Sequence, residues 1–157
     1  MGQSLTRAIA LPGPESTREL AEKLVRALPP DPGGWSVLLS GELGSGKSTL
    51  ARAMLRFFGH SGPVPSPTYT LVEPYEFSGF TVYHIDLYRI CAEDELEFLG
   101  WSDLADGLRL VEWPDRVPTL QAQGDVAITL SYAGSGRSAE LTGLSGRGAA
   151  LVAALAL

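Results

Sequence analysis

Two lysines occur in this chain of 157 residues, Lys23 and Lys47. The second closes a run of closely spaced glycines, Gly41-Glu42-Leu43-Gly44-Ser45-Gly46-Lys47-Ser48. That run satisfies G-x-x-x-x-G-K-[ST] at each fixed position. Gly41, Gly44 and Gly46 let the backbone curl until successive N–H groups converge on an anion. A lysine ammonium there is a point charge for the β- and γ-phosphates of a nucleotide. The Ser48 hydroxyl suits a magnesium ion. A helix opening near Lys47 would add its positive dipole end. Gly41 to Thr49, with Glu42, Leu43 and Ser45 contributing backbone, is therefore read as a phosphate cradle. A glycine-rich turn with no ligand is the competing reading. The strand-like run before the loop and the helical run after it disfavour that alternative.

Such a loop needs a carboxylate near the metal. Asp86 ends Val82-Tyr-His-Ile-Asp86, an apolar run closing on an acid. Glu112 ends Leu108-Arg-Leu-Val-Glu112 in the same form. A buried strand carrying its acid to the ligand-bearing edge of an open sheet would read this way. Capping or ordinary strand-end acids are the alternatives. Asp86 is followed by Leu87, so a second acid must come from elsewhere, which draws attention to Glu112. Thr68, in Ser66-Pro67-Thr68-Tyr69-Thr70, lies where nucleotide switches bring a hydroxyl to the γ-phosphate and magnesium. A proline turn with Tyr69 as packing competes with it. His84 leaves the same strand face as Asp86. It reads as a hydrogen-bonded structural histidine before it reads as a base. His60 reads as a helix-end or loop residue. Glu93, Asp94, Glu95 and Glu97 read as a solvated helix face, with a partner surface as the functional alternative.

These residues need elements to hold them. Ser16 and Glu19 match a capping box, and Leu20, Leu24 and Leu28 follow on one helical face. The turn at 29–34 ends that helix. Residues 35–40 read as a buried strand. A helix bearing Leu50, Met54 and Phe57 follows the glycine loop, with Gly59 as its cap. Residues 60–70 read as loop. Residues 71–75 and 80–85 form a hairpin about Ser78–Gly79. Residues 92–99 form a short acidic helix, 108–112 and 126–132 are strands, and a terminal helix begins near Gly146. No element is assigned to residues 1–15 or 133–145. Strand, loop, helix, then further strands predicts an α/β sheet.

Composition bounds the reading. The length suits one domain, residues 1–157. Apolar residues at 45% and charged residues at 19% exclude a disordered chain. Twelve basic against eighteen acidic residues, net −6, argues against a nucleic-acid-binding surface. The single cysteine, Cys91, forms no internal disulfide, which favours a reducing compartment. Residues 1–10 lack the form of a signal peptide, and no apolar run is long enough for a membrane span. A cytoplasmic protein is expected.

The phosphate loop, Gly59-His60, Ser66-Pro-Thr-Tyr-Thr-Leu-Val-Glu73, Val82-Tyr-His-Ile-Asp-Leu-Tyr-Arg89, Glu95-Leu-Glu-Phe-Leu-Gly100 and Leu110-Val-Glu-Trp-Pro114 together resemble the TsaE family, also called YjeE. The match is collinear to about Leu141. It implies a P-loop sheet with a parallel core and added antiparallel strands, flanked by helices in three layers. It also implies a magnesium-dependent ATPase serving tRNA threonylcarbamoyladenosine modification, the adenosine lying beside the anticodon. The family's partners are TsaD and TsaB, whose complex it binds and resets; tRNA is reached only through them. By position, Lys47, Ser48 and the loop backbone take ATP or ADP phosphates and Mg2+. Ser48, Asp86 and Glu112 fall at the metal, Thr68 and Tyr69 in a switch-like loop, and Trp113 beside the acid. Arg137 matches a late arginine that contacts nucleotide, and the segment 12–15 lies near the base. Ser48 stands where threonine is common. Trp101-Ser-Asp-Leu-Ala replaces a more typical Ile-Arg-Asp-Tyr-Phe, at a partner-facing stretch.

Three other functions compete. A GTPase switch would need an Asn-Lys-x-Asp segment, and the chain contains no asparagine. A small-molecule kinase would need an arginine-rich lid, whereas the ten arginines are scattered. A nucleotide-binding scaffold without hydrolysis shares every motif. The hydrolytic base, the oligomeric state and the partner surface are left open.

Overall fold

The computed structural model describes residues 5–157. The parts of the single-domain and N-terminal readings that fall on residues 1–4 lie outside the described residues. Seven strands form one sheet, in the order β1-β7-β6-β2-β5-β4-β3. Its centre is parallel: β2 (Ser36–Gly41) lies between β6 (Val126–Ala133) and β5 (Leu108–Glu112), and β5 lies beside β4 (Phe80–Asp86). Antiparallel strands extend both edges. β3 (Val72–Phe77) pairs with β4, and β7 (Gly136–Gly143) joins β6 to β1 (Thr6–Leu11).

The expected α/β sheet with a parallel core and antiparallel additions is present, as are its helices. β2 is apolar on both faces because both are covered. Val37 and Leu39 enter one cluster with α1 (Pro14–Ala27), α2 (Lys47–Phe58) and α4 (Gly146–Ala154). Leu38 enters the other cluster, with Ile85, Val111 and the short segments carrying Leu96, Trp101 and Leu120. That second layer is thinner: α3 spans only Glu95–Phe98, and short 3-10 turns supply the rest. The expected helix over 92–99 is thus a single turn. No helix among the described residues is long and apolar enough to cross a membrane.

Some expectations need correction. β1 and β7 lie where the sequence predicts no element. β7 carries Gly136, Ala139, Glu140 and Gly143, which have little strand preference, and pairing with β6 and β1 makes it a strand. α1 begins earlier than its serine suggests. Gly13 is the cap, Pro14 opens the first turn, and Ser16 stands third in the helix. The Ser16 hydroxyl accepts from Gly13 N–H at 3.1 Å and donates to Gly13 O at 2.6 Å. On α2 the buried stripe is Leu50, Ala51, Met54 and Leu55, continued by Phe58 rather than Phe57. Phe57 is exposed, and Phe58 packs on Phe77 and Phe80. Gly59 caps α2 at φ 116°, as expected.

The parallel centre positions the site. β2, β4 and β5 run the same way, so Gly41, Asp86 and Glu112 finish at one edge. Asp86 sits directly opposite Glu112, and Glu112 opposite Leu39, two residues before the loop.

Candidate functional site

The glycine loop joins β2 to α2, as its spacing requires. Gly41 has φ 145° and a side chain there would strike Leu130 O at 2.5 Å. Gly44 has φ 79°, and its missing Cβ leaves room for the Tyr132 hydroxyl. Gly46, at φ 112°, caps α2, so the N-terminal amides of the helix open onto the loop.

Lys47 is almost wholly buried. Its Nζ donates to Gly41 O at 2.6 Å and Glu42 O at 3.0 Å, and lies 4.3 Å from the centre of the Trp113 ring. Burial pulls its ammonium below the usual lysine range, against the opposing charges of Glu112, Asp86 and Asp115. Trp113 itself is left-handed at φ 58°, a conformation costly for a bulky residue and met mostly at functional sites.

The two acids meet hydroxyls. Ser48 Oγ lies 2.9 and 3.1 Å from the two oxygens of Glu112. Thr68 Oγ1 donates to Asp86 Oδ2 at 3.0 Å, and Ser66 donates in turn to Thr68 at 2.8 Å. Asp86 also accepts from Tyr88 N–H at 2.9 Å. The loop carrying Thr68 is fixed over the end of β4 by Leu71, which has φ 70° and accepts from Asp86 N–H. Behind Glu112 stands His84, with Nε2 2.6 Å from Oε2, both side chains buried.

Three cavities border the loop. One, about 940 Å³, lies beyond Gly41, Glu42 and Leu43 against Trp113 and Gln121. The other two bear on the site. One of about 290 Å³ is lined by Lys47, Ser48, Thr68, Asp86, Glu112 and Trp113, among others. The other, about 280 Å³, lies between residues 11–14, Leu130 and Arg137. Gly44, Gly46 and Thr49 line both, so a ligand could run from one to the other past the loop. Arg137 Nη2 donates to Gly44 O at 3.3 Å, and its guanidinium lies over the Tyr132 ring at 4.2 Å. Tyr132 donates to Leu43 O at 2.8 Å.

The residues chosen from the sequence for phosphate, nucleotide and metal converge here: the loop from Gly41 to Thr49, with Thr68, Asp86, Glu112 and Arg137 around it. Tyr69 is exposed and lines neither of these two cavities. His60 is a loop residue; its Nε2 lies 3.1 Å from Pro63 O. Glu93, Asp94 and Glu97 are exposed and away from the cavities. Tyr132 was missed, though its place at the carboxyl end of a strand, like that of Asp86 and Glu112, could have flagged it.

Among the described residues no three His, Cys, Asp or Glu side chains gather to hold a metal unaided. The donors present are two carboxylates and two hydroxyls, all oxygen. That set suits magnesium, which takes one or two carboxylates and completes its shell with water and phosphate oxygens. It does not suit zinc, which favours sulfur and nitrogen.

The family model "Threonylcarbamoyl adenosine biosynthesis protein TsaE" matches residues 11–139. A "tRNA threonylcarbamoyladenosine biosynthesis protein TsaE" of Haemophilus influenzae is 41% identical over 120 residues, covering 75% of this chain and 76% of that protein. The protein of that name in Synechocystis is 38% identical over 119 residues, covering 72% of this chain and 73% of the other. The crystal structure of Bacillus subtilus YdiB superposes with a TM-score of 0.73 at 25% identity, over 98% of this chain and 95% of that one. The chain belongs to the TsaE family, and with it to tRNA threonylcarbamoyladenosine biosynthesis.

Proposed function

We propose that the protein is a magnesium-dependent ATPase that binds the TsaB–TsaD complex and resets it between rounds of tRNA modification. One observation carries the reading. Asp86 and Glu112 are both buried at adjacent strand ends, and among the described residues neither carboxylate is paired with an arginine or lysine. Two buried acids facing hydroxyls beside a phosphate loop suit a cation that arrives with its nucleotide.

In this reading Ser48 and Asp86 supply oxygens to magnesium, with Glu112 beside them. Magnesium, when bound, neutralises charge on the phosphate oxygens. Lys47 exchanges the carbonyls of Gly41 and Glu42 for phosphate oxygens. The amides of residues 42–49 close around the same anion. Thr68 brings its hydroxyl to the terminal phosphate. Arg137 and the wall at residues 12–14 enclose the nucleoside. The protein works in the cytoplasm and touches tRNA only through its partners, as its net charge of −6 also suggests.

The test is ATP hydrolysis by the purified protein, alone and with TsaB–TsaD. Slow hydrolysis that rises with the complex is expected. Nucleotide binding with no turnover in either condition would leave a scaffold, the reading that the engaged Lys47 would then favour. No stimulation and no association would remove the partner assignment.

A further inference from the structure

We infer that His84 is a positioning residue that sets the carboxylate of Glu112 for the metal site and keeps it off Lys47. The inference rests on the reading of Glu112 proposed above. His84 and Glu112 lie on neighbouring strands, His84 opposite Leu110 and Asp86 opposite Glu112. Alternation along each strand therefore puts His84, Asp86 and Glu112 on one face.

The contact is 2.6 Å from Nε2 to Oε2, with 1% of His84 and 2% of Glu112 exposed. The carboxylate can only accept, so Nε2–H donates. The other ring nitrogen, Nδ1, is buried with no hydrogen-bond partner among the described residues. A hydrogen there would be an unsatisfied buried donor. The ring's polar capacity is thus spent on Glu112 alone. A histidine recruited only to tie elements together would gain by using both nitrogens.

Glu112 needs such a tether. Its side chain has three rotatable bonds, and Ser48 offers it one hydroxyl hydrogen, shared between the two oxygens. Lys47 and Glu112 line the same cavity, where the negative charge of Glu112 acts on the ammonium. Released from His84, the carboxylate is drawn toward the ammonium. Pairing there would take both the acid from the metal and the lysine from the phosphate. Groups that orient a ligand from behind typically carry about 10–100-fold in metal affinity or activity.

The experiment compares His84→Met, His84→Gln and Glu112→Gln, singly and as the double variant His84→Met/Glu112→Gln. Melting temperature establishes folding. Titration of ADP at varied MgCl2 gives the magnesium needed to tighten ADP binding, and steady-state hydrolysis gives kcat and KM. His84→Met is expected to raise the magnesium requirement and lower kcat, each by about 10-fold or more, with KM for ATP changed by less than about threefold. His84→Gln keeps an N–H donor and is expected to restore both to within about threefold. In the Glu112→Gln background His84→Met should cost less than about twofold, since the two act through one carboxylate.

Unchanged magnesium dependence in a folded His84→Met protein overturns the inference. So does equal loss in the Gln and Met variants, or full loss in the Glu112→Gln background. If His84→Met does not fold, His84→Phe takes its place as the variant without a donor. Wild-type ADP binding that ignores magnesium would instead overturn the parent reading of the metal site.

Discussion

Opposite edges of the sheet each bury acids and treat them differently. At the amino edge, Asp125 accepts from Ser36 N–H at 2.9 Å, Ser145 Oγ at 2.7 Å and Arg147 Nε at 2.9 Å. Arg147 also donates to Gly34 O at 2.7 Å and lies over the Trp35 ring at 4.5 Å. At the carboxyl edge, Asp86 and Glu112 accept from hydroxyls, one backbone N–H and His84, with no arginine or lysine paired to either among the described residues. Burial alone pushes Asp125 up, but Arg147, Ser145 and Ser36 outweigh it and hold the acid below the usual carboxylate range. One acid is saturated and closes the fold by tying α4 to β2. The other two each keep a hydroxyl partner, Thr68 on Asp86 and Ser48 on Glu112, that can rotate away.

The largest expected effect lies on the unsaturated side. Lys47→Ala should lower ATP hydrolysis by about 10²–10³-fold, the scale of removing one preorganised charge from a transition state. Its melting transition should stay cooperative. Full hydrolysis by this variant would sink the mechanism. Glu112→Gln should lose about 100-fold in turnover while still binding nucleotide, because metal positioning acts on the transition state. Without magnesium it should melt at or above the wild type, since it relieves two buried like charges. A clear drop in melting temperature would show that Glu112 already stabilises the fold, and the contrast between the edges would fail.

Asp125→Ala should do the reverse. Losing hydrogen bonds from a charged group costs about 2–3 kcal/mol. For a chain this long that lowers Tm by roughly 5–10 °C. Hydrolysis per folded molecule should not change, because the substitution is at the other edge. The pH dependence has a definite sign. The folded-state value of Asp125 is depressed, so its stabilisation is complete above the ordinary 3.8 and is lost as pH falls through the folded value. Chemical denaturation at falling pH should therefore show the gap between wild type and Asp125→Ala close only below about pH 3.8. A gap that closes near neutrality would contradict the depressed value.

The same division explains what could be read in advance. The loop from Gly41 to Ser48 was legible because phosphate chemistry fixes both residue types and spacing. Asp86 and Glu112 were legible because each ends an apolar run, and a parallel sheet sends such ends to one edge. The Asp125–Arg147 clasp was not legible. Its members come from β2, the start of β6 and the start of α4, and only tertiary packing brings them together. β1 and β7 were missed for a related reason: small and polar residues give no alternation strong enough to mark a strand. Ser16 misled because the serine-to-glutamate spacing also fits a helix that Pro14 has already begun. His84 could be placed on the right face, but not its distance to Glu112, which depends on the register between two strands.

The smallest effect concerns Tyr132, which braces the loop by a neutral contact. Its hydroxyl donates to Leu43 O, and its ring carries the Arg137 guanidinium. Tyr132→Phe removes the first interaction and keeps the second, since cation–π attraction needs only the ring. The side chain is half exposed, so water can replace the lost partner, and the cost should be about 0.5–1 kcal/mol. If that energy holds the loop in its phosphate-ready shape, it should appear as a rise of about two- to fivefold in KM for ATP with kcat unchanged. Tyr132→Ala loses both interactions and should raise KM further. A fall in kcat for Tyr132→Phe would place the hydroxyl in the chemistry itself. In that case the carboxyl edge would depend on a bond at its outer rim as much as on its buried acids.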